Sequence, residues 1–199
     1  MQILLATHNR GKRPEWLALL EGLDIDLLLP EDLGLDFDVE ETGATYVENA
    51  LLKARAFAAA ARMPALADDS GLEVDALAGA PGVRSARYRL GDDAVRYRAL
   101  LAALEGVPAE ERGARFRCIA ALALPDGSEY TVEGVCAGHI TLEPAGEGGF
   151  GYDPVFYVAA LGRTMAELAP EEKNRISHRA RAAQAMRPIL QRVLGDAST

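Results

Sequence analysis

The sequence predicts an α/β fold with a mixed β-sheet flanked by helices. Short apolar runs alternate with helical patterns early in the chain, two strand patterns adjoin in its middle, and a helical pattern closes it. Apolar residues make up 49% of the 199 residues and charged residues 26%, which is ordinary globular usage and excludes disorder for most of the chain. We expect one domain over residues 1–195 and a loose tail over residues 196–199.

The N-terminal part predicts a strand, a loop and a helix, followed by further extended segments. Residues 2–6 form an apolar run typical of a buried strand, and a helical pattern with Pro14 in its first turn follows the loop Thr7–Lys12. Residues 27–29 predict a second strand, and residues 37–39 a short extended piece.

A capped helix is predicted over residues 46–62, because Thr45 and Glu48 form a capping box in front of it. Residues 65–67 then predict a strand that stops at Asp68 and Asp69. Ligands of α/β proteins bind where strands end, so this position favours a functional role for the two acids.

The second half of the chain predicts two helices and three strands. A Pro-Asp-Gly turn at residues 125–127 indicates a hairpin, and Ser177 is a good N-cap for the last helix. The predicted elements are a helix around residues 92–104, strands over 115–124, 129–139 and 155–158, and a helix over 178–194.

Charge and cysteine usage exclude several classes of protein. Acids outnumber bases 30 to 21, and the net charge of −9 argues against a non-specific nucleic-acid binder or a basic membrane patch. Cys118 and Cys136 are too few for a disulfide scaffold and are expected to be reduced. Neither a signal-peptide pattern nor an apolar run of the ~20 residues of a membrane span is present. We expect a cytoplasmic protein with no nucleic-acid or membrane partner.

Two sets of residues predict a site for phosphate and metal. The loop Thr7–Lys12 joins a strand to a helix, whose N-terminus and adjacent lysine favour an anion. Two acid pairs, Glu40-Glu41 and Asp68-Asp69, lie in separate predicted loops. Mg²⁺ takes one or two carboxylates besides phosphate and water, so one acid from each pair would suffice. The three histidines lack the close spacing of a zinc site.

Two further motifs predict a site for a flat, acceptor-rich ligand. Glycines flank Phe150, so backbone could approach a base that stacks on its ring, and Asp153 could accept hydrogen bonds from the N–H groups of that base. His178 and Arg179 fall in the first turn of the last helix, where positive charge opposes the helix dipole. Lys12, Lys53 and Lys173 are the only lysines, and Lys53 shares a helix face with Asn49. Together these features outline a Mg-nucleotide site.

Six separated motifs carry a family resemblance that spans about residues 2–180. The chain resembles the inosine/xanthosine triphosphate pyrophosphatases, house-cleaning enzymes for non-standard purine nucleotides. The motifs are Thr7–Lys12, Glu40-Glu-Thr-Gly43 with Glu48-Asn-Ala50 and Lys53-Ala54, Ala67-Asp-Asp-Ser-Gly71, Gly79-Ala-Pro-Gly82 with Ser85-Ala-Arg-Tyr88, Gly148–Pro154, and Lys173 through Ser177-His-Arg179.

The resemblance implies Mg²⁺-dependent hydrolysis of ITP, dITP and XTP to the monophosphate and pyrophosphate, in a homodimer with an elongated mixed sheet and a nucleotide cleft between two lobes. It implies Asp69 and Lys12 as catalytic residues, and Asp69 with Glu40 (or, as the alternative, Glu41) as metal ligands. The substrate-binding residues it implies are Thr7, His8, Asn9, Arg10, Gly11, Lys12, Lys53, Ser70, Phe150, Gly151, Tyr152, Asp153, Lys173, His178 and Arg179.

Elementary chemistry adds a hypothesis on specificity and leaves two other functions open. Arginine has only donors, so Arg179 could pair with the 6-oxygen of hypoxanthine or xanthine and would lose that partner with adenine. One alternative is a pyrophosphatase for modified pyrimidine nucleotides. The other is a nucleotide- or RNA-binding module without catalysis, against which the negative charge and both acid pairs argue.

Overall fold

The computed structural model describes residues 2–196 and has an α/β fold with one mixed seven-stranded sheet. The strand order is β2-β1-β3-β4-β5-β6-β7. β1 runs parallel to both β2 and β3, whereas β6 is antiparallel to β5 and β7, which confirms the predicted mixed sheet. The strands are β1 (Gln2–Leu5), β2 (Asp26–Leu28), β3 (Ala65–Val74), β4 (Gly113–Ala123), β5 (Glu129–Ile140), β6 (Phe156–Val158) and β7 (Arg163–Thr164).

Five α-helices accompany the sheet in the described part of the chain. They are α1 (Lys12–Leu19), α2 (Tyr46–Ala61), α3 (Asp93–Ala103), α4 (Pro170–Ile176) and α5 (His178–Asp196). The capping box of α2 is present as predicted: Thr45 Oγ1 accepts from the Glu48 amide at 3.2 Å, and a Glu48 carboxylate oxygen accepts from the Thr45 amide at 3.0 Å. None of the helices among residues 2–196 has the length and apolar character needed to cross a membrane.

The prediction that a strand stops at Asp68 was wrong. β3 continues through both acids to Val74, because Leu72 and Val74 supply further fully buried side chains. Both acids are themselves buried in this strand, at 2% and 5% exposure. Burial of a charge is tolerated only where partners compensate it, so the strand can continue only because both carboxylates have such partners.

Other elements differ in smaller ways from the predicted set. Residues 37–39 form no strand, and β7 and α4 were not predicted. The hairpin signal is confirmed: the Leu124 amide donates to Ser128 O at 2.9 Å across the predicted turn. Asp196 is the last residue of α5, and residues 197–199 of the predicted tail lie outside the described residues.

The chain divides into two compact units, each with its own core. Among the described residues, unit 1 comprises 2–69, 118–134 and 179–196, and unit 2 comprises 70–117 and 135–178. A single domain over residues 1–195 stays a prediction. The unit 1 core includes Ile3, Trp16, Leu66, Leu122, Met186 and Leu190, and the unit 2 core includes Leu72, Leu100, Phe116, Phe156 and Met165. Cys118 and Cys136 are reduced cysteines, one buried in each core.

Candidate functional site

Asp68 is the centre of a buried polar cluster in unit 1. Trp16 Nε1 donates to its Oδ1 at 3.1 Å, and the Lys12 ammonium lies 3.0 Å from its Oδ2. Arg179 approaches the same Oδ2 at 3.4 Å. Burial disfavours the charged form, but Lys12 and Arg179 outweigh it and hold the pKa of Asp68 well below its usual range. The carboxylate therefore stays ionised and fixes the two cations beside it.

The loop before α1 is ordered by its own side chains. Asn9 Oδ1 accepts from the amides of Gly11 and Lys12 at 2.9 and 3.2 Å, and Thr7 Oγ1 accepts from the Asn9 amide at 3.2 Å. His8 is exposed, with Nε2 at 3.0 Å from Phe37 O. This internal bonding satisfies amides at the start of α1 and directs Lys12 toward Asp68.

Asp69 faces a second group of residues, supplied by α2 and the loop before it. Asn49 Nδ2 donates to Asp69 Oδ2 at 3.0 Å. The Lys53 ammonium lies 2.5 Å from Glu41 Oε1 and 3.9 Å from Asp69 Oδ1. Burial raises the pKa of Asp69, with the nearby Glu41 carboxylate adding to the rise. For Lys53, the charges of Asp69 and Glu41 overcome burial and raise its pKa.

This arrangement fits a divalent cation better through Glu41 than through Glu40. Glu40 is exposed, whereas Glu41 is half-buried and shares Lys53 with Asp69. The negative charge of Glu41 makes ionisation of Asp69 costlier, which a cation between them would relieve. Together the two carboxylates form a hard-oxygen donor set of the kind that Mg²⁺ takes. No cluster of three or more potential ligand side chains occurs among residues 2–196, so water and phosphate would have to complete the shell.

A second buried ion pair lies in unit 2, next to the glycine-rich aromatic segment. Lys173 Nζ donates to Asp153 Oδ2 at 2.5 Å, and the side chains are 6% and 3% exposed. The same oxygen accepts from the Phe150 amide at 2.9 Å, and the Lys173 ammonium lies 4.8 Å from the centre of the Phe150 ring. Asp153 thus holds both the backbone of the segment and the lysine above its aromatic ring.

Neighbouring elements of unit 2 anchor the rest of that segment. Tyr152 donates its hydroxyl hydrogen to Ser85 O at 2.9 Å, and Asp93 Oδ2 accepts from the Gly151 amide at 2.6 Å. The His178 ring stacks on Phe116 with centroids 4.7 Å apart. The segment that sequence analysis singled out is therefore tied to the first turn of α3 and to the core.

The predicted site residues separate into two groups by unit. Asn49, Ser85 and Asp93 hydrogen-bond to these residues but were not among the predicted ones. Asn49 had a sequence signal in its shared face with Lys53, and Ser85 lies in one of the six motifs, whereas Asp93 had none. Trp16, which donates to Asp68, had none either. Unit 1 holds Thr7, His8, Asn9, Arg10, Gly11, Lys12, Glu40, Lys53, Asp69 and Arg179, and unit 2 holds Ser70, Phe150, Gly151, Tyr152, Asp153, Lys173 and His178.

Arg179 has partners that the sequence analysis did not foresee. Its guanidinium lies 2.5 Å from Glu15 Oε2 and 3.4 Å from Asp68 Oδ2, and its side chain is 1% exposed. Burial opposes its charge, but the two carboxylates hold its pKa above the usual range. Arg179, which was expected to contact the base, thus lies in the Asp68 cluster.

Known proteins match nearly the whole chain. A family model described as the Ham1 family matches residues 3–189. A "dITP/XTP pyrophosphatase" of Geobacillus kaustophilus is 54% identical over 185 residues, 91% of this chain and 90% of that protein. One of Streptomyces coelicolor is 52% identical over 202 residues, 98% and 99% of the two chains.

Two solved structures also match nearly the whole chain. A HAM1 protein from Coxiella burnetii has a TM-score of 0.87 and 44% identity, covering 96% of this chain and 99% of that one. The Staphylococcus aureus Ham1 protein has a TM-score of 0.85 and 40% identity, covering 96% and 98%. These matches confirm the resemblance drawn from the six motifs. The chain belongs to the Ham1 family.

Proposed function

We propose that this protein hydrolyses the non-standard purine nucleoside triphosphates ITP, dITP and XTP to the monophosphate and pyrophosphate. The observation that carries the proposal is the pairing of Lys12 and Lys53 with the adjacent buried acids Asp68 and Asp69. Two ammonium groups suit a polyphosphate, and an acid beside them suits a cation that phosphate also binds. Relatives about 50% identical that are named dITP/XTP pyrophosphatases support the substrate class.

Mg²⁺ is the proposed metal, held by Asp69 and Glu41, with Glu40 as the alternative to Glu41. The shared Lys53 and the raised pKa of Asp69 support this choice of donors. A bound Mg²⁺ would act as a Lewis acid that neutralises charge on the phosphates and orients a water.

The side chains of unit 1 have separate roles in the proposed hydrolysis. Lys12 and Lys53 bind the phosphate oxygens and stabilise the charge that builds up on the departing pyrophosphate. Asp69 orients the water whose oxygen attacks the α-phosphorus. The bond from that phosphorus to the bridging oxygen breaks, pyrophosphate leaves, and the proton lost by the water passes to the solvent. Asp68 holds the Lys12 ammonium in position and is itself paired with Arg179.

Base recognition is assigned to unit 2. The half-buried Phe150 ring offers a stacking surface, and Lys173, which carries only donors, lies over it. A 6-oxygen would accept a hydrogen bond from such a donor, whereas the 6-amino group of adenine could not, and the loss of one such bond costs about 1–3 kcal/mol. A direct contact of Arg179 with the base stays a prediction.

We also propose a cellular role, an oligomeric state and a location for the enzyme. Removal of these nucleotides would cleanse the nucleotide pool and prevent their incorporation into DNA and RNA. The family resemblance supports a homodimer and a cytoplasmic location, and light scattering coupled to gel filtration would test the oligomeric state.

A substrate panel tests the proposed activity. Pyrophosphate release from ITP, dITP, XTP, GTP, ATP and dUTP is measured with Mg²⁺ and with chelator. We expect metal-dependent release from the first three substrates at least tenfold faster than from ATP, since one lost base contact corresponds to about a tenfold change. Release from GTP should also be slow; because guanine keeps the 6-oxygen, that difference would have to come from its 2-amino group. Release fastest from dUTP would favour the pyrimidine alternative, and release from none would favour the binding module.

A further inference from the structure

The first turn of α2 binds the loop that carries Glu41 at three consecutive backbone amides. Asn49 Oδ1 accepts from the Gly43 amide at 2.8 Å. A Glu48 carboxylate oxygen accepts from the Ala44 amide at 2.7 Å and from the Thr45 amide at 3.0 Å. The first of these amides, that of Gly43, is two residues after Glu41. The hydrogen bonds to α2 therefore fix the position of the backbone next to Glu41.

Gly43 is in close contact with the same turn. A Cβ at this position would lie 2.6 Å from the Glu48 Cβ and 2.7 Å from Asn49 Oδ1, closer than real side chains approach. The absence of a side chain at residue 43 therefore lets its amide reach the Asn49 carboxamide directly. The Gly43 backbone thus lies directly against the side chains of Glu48 and Asn49, which leaves little freedom in the separation of loop and helix.

The amide nitrogen of the Asn49 side chain contacts Asp69. Its Nδ2 donates to Asp69 Oδ2 at 3.0 Å, and the residue is fully buried at 0% exposure. One carboxamide thus joins the loop of Glu41 to the carboxylate of Asp69. The hydrogen bonds of Glu48, by contrast, go to Ala44 and Thr45 of the loop.

We propose that Asn49 is a positioning residue that sets the spacing between the Glu41 and Asp69 carboxylates, and thereby the affinity for the divalent cation. The inference rests on the proposed function in taking these two acids as cation ligands. Groups that orient metal ligands typically account for 10- to 100-fold in metal affinity, roughly the effect expected here. Asn49 itself would touch neither metal nor nucleotide.

The test measures binding of Mn²⁺ alone, by EPR of the free ion, to the wild type and to Asn49→Ala. We expect the Mn²⁺ dissociation constant to rise about 10-fold or more in the variant. The Mg²⁺ concentration that half-saturates XTP hydrolysis should rise in parallel, while kcat at saturating Mg²⁺ changes by less than about threefold. A merely structural loss would lower the active fraction and leave the dissociation constant of the folded molecules unchanged.

Glu48→Ala is the matched control, since it removes two bonds to the same loop from the same helical turn and spares Asp69. We expect its Mn²⁺ dissociation constant to stay within about threefold of the wild type. Asn49→Ser serves if Asn49→Ala does not fold, because a hydroxyl is too short to span from the Gly43 amide to Asp69.

Three outcomes would overturn the inference: unchanged Mn²⁺ binding in both Asn49 variants, an equal loss in Glu48→Ala, or no Mn²⁺ binding by the wild type without nucleotide. An enzyme that binds Mn²⁺ as expected and hydrolyses no purine triphosphate would instead contradict the proposed function and leave the role of Asn49 intact.

Discussion

Asp68 and Asp69 are neighbours in β3 whose carboxylates face opposite sides of the strand. Asp68 meets Trp16 of α1 and Arg179 of α5, whereas Asp69 meets Asn49 of α2. Side chains alternate along a strand, so adjacent acids necessarily enter different surroundings. Their pKa values accordingly shift in opposite directions, down for Asp68 and up for Asp69.

Replacement of Asp68 should cost stability. Asp68→Asn leaves Lys12 and Arg179 in place without this counter-charge, and breaking a buried pair costs about 3–5 kcal/mol of unfolding free energy. Urea denaturation measures the loss. Glu129→Gln is the control, because its pair with Arg55 is exposed and worth about 1 kcal/mol or less. Equal losses in both variants would contradict the central place of Asp68.

The stabilising effect of Asp68 should depend on pH. The native pKa of Asp68 lies below that of an unfolded aspartate, about 4, so its contribution is fully present above that pH. It is lost as the pH falls further toward the native pKa. Urea denaturation at several pH values should show the gap between wild type and Asp68→Asn shrinking below about pH 4; a constant gap would count against the ion-pair explanation.

Replacement of Asp69 should separate activity from stability. The native pKa of Asp69 is raised, so its ionised form costs stability once the pH exceeds the usual value of about 4. In the presence of chelator, Asp69→Asn should therefore be more stable than the wild type at pH 7, with the advantage fading in acid. Turnover at saturating Mg²⁺ should fall on the order of 100-fold or more. Near-normal turnover would remove Asp69 from the mechanism.

Gly149 and Gly151 form a matched pair around Phe150. Both have positive φ, +72° and +66°, so alanine brings a similar backbone cost at each, about 1 kcal/mol. At Gly149 the new Cβ would lie 2.0 Å from Asp153 Oδ2, whereas at Gly151 it meets nothing within 4 Å. We expect Gly149→Ala to raise the KM for XTP about tenfold more than Gly151→Ala does. Equal KM values would show that the Asp153 position is unimportant.

The Phe150 ring should contribute to substrate affinity. Stacking of a base is worth about 1–3 kcal/mol, so Phe150→Ala should raise KM roughly 5- to 150-fold and leave kcat little changed. Phe150→Tyr keeps the ring and should retain a KM near that of the wild type. Steady-state kinetics with XTP decide, and a variant without the ring but with normal KM would exclude stacking.

Local sequence signals predicted much of this fold and part of the site. The capping box at Thr45 and Glu48 acts over three residues, so it was visible in the sequence, and α2 starts where it indicates. β7 is two residues long and α4 seven, too short for a periodic pattern to distinguish them from loop.

Contacts between residues far apart in the chain determine the features that local sequence patterns did not predict. The end of a strand at Asp68 was a reasonable expectation because acids break apolar runs, but Trp16 and Arg179, 52 and 111 residues away, allow this one to stay inside. Our proposal of Glu41 rather than Glu40 as a metal ligand likewise rests on the contact of Glu41 with Lys53, twelve residues further on. Such pairings depend on tertiary packing, so the residues next to each acid in the sequence do not indicate them.

The division of the two units along the chain has a consequence during synthesis. All residues of unit 2 have left the ribosome once His178 is free, but the unit 1 core needs Ala182, Met186 and Leu190 of α5. Until those residues emerge, the Asp68 carboxylate also lacks Arg179. The N-terminal residues of unit 1 therefore cannot complete their core until α5 has been synthesised. Chains truncated before residue 179 should be targets for chaperones and proteases.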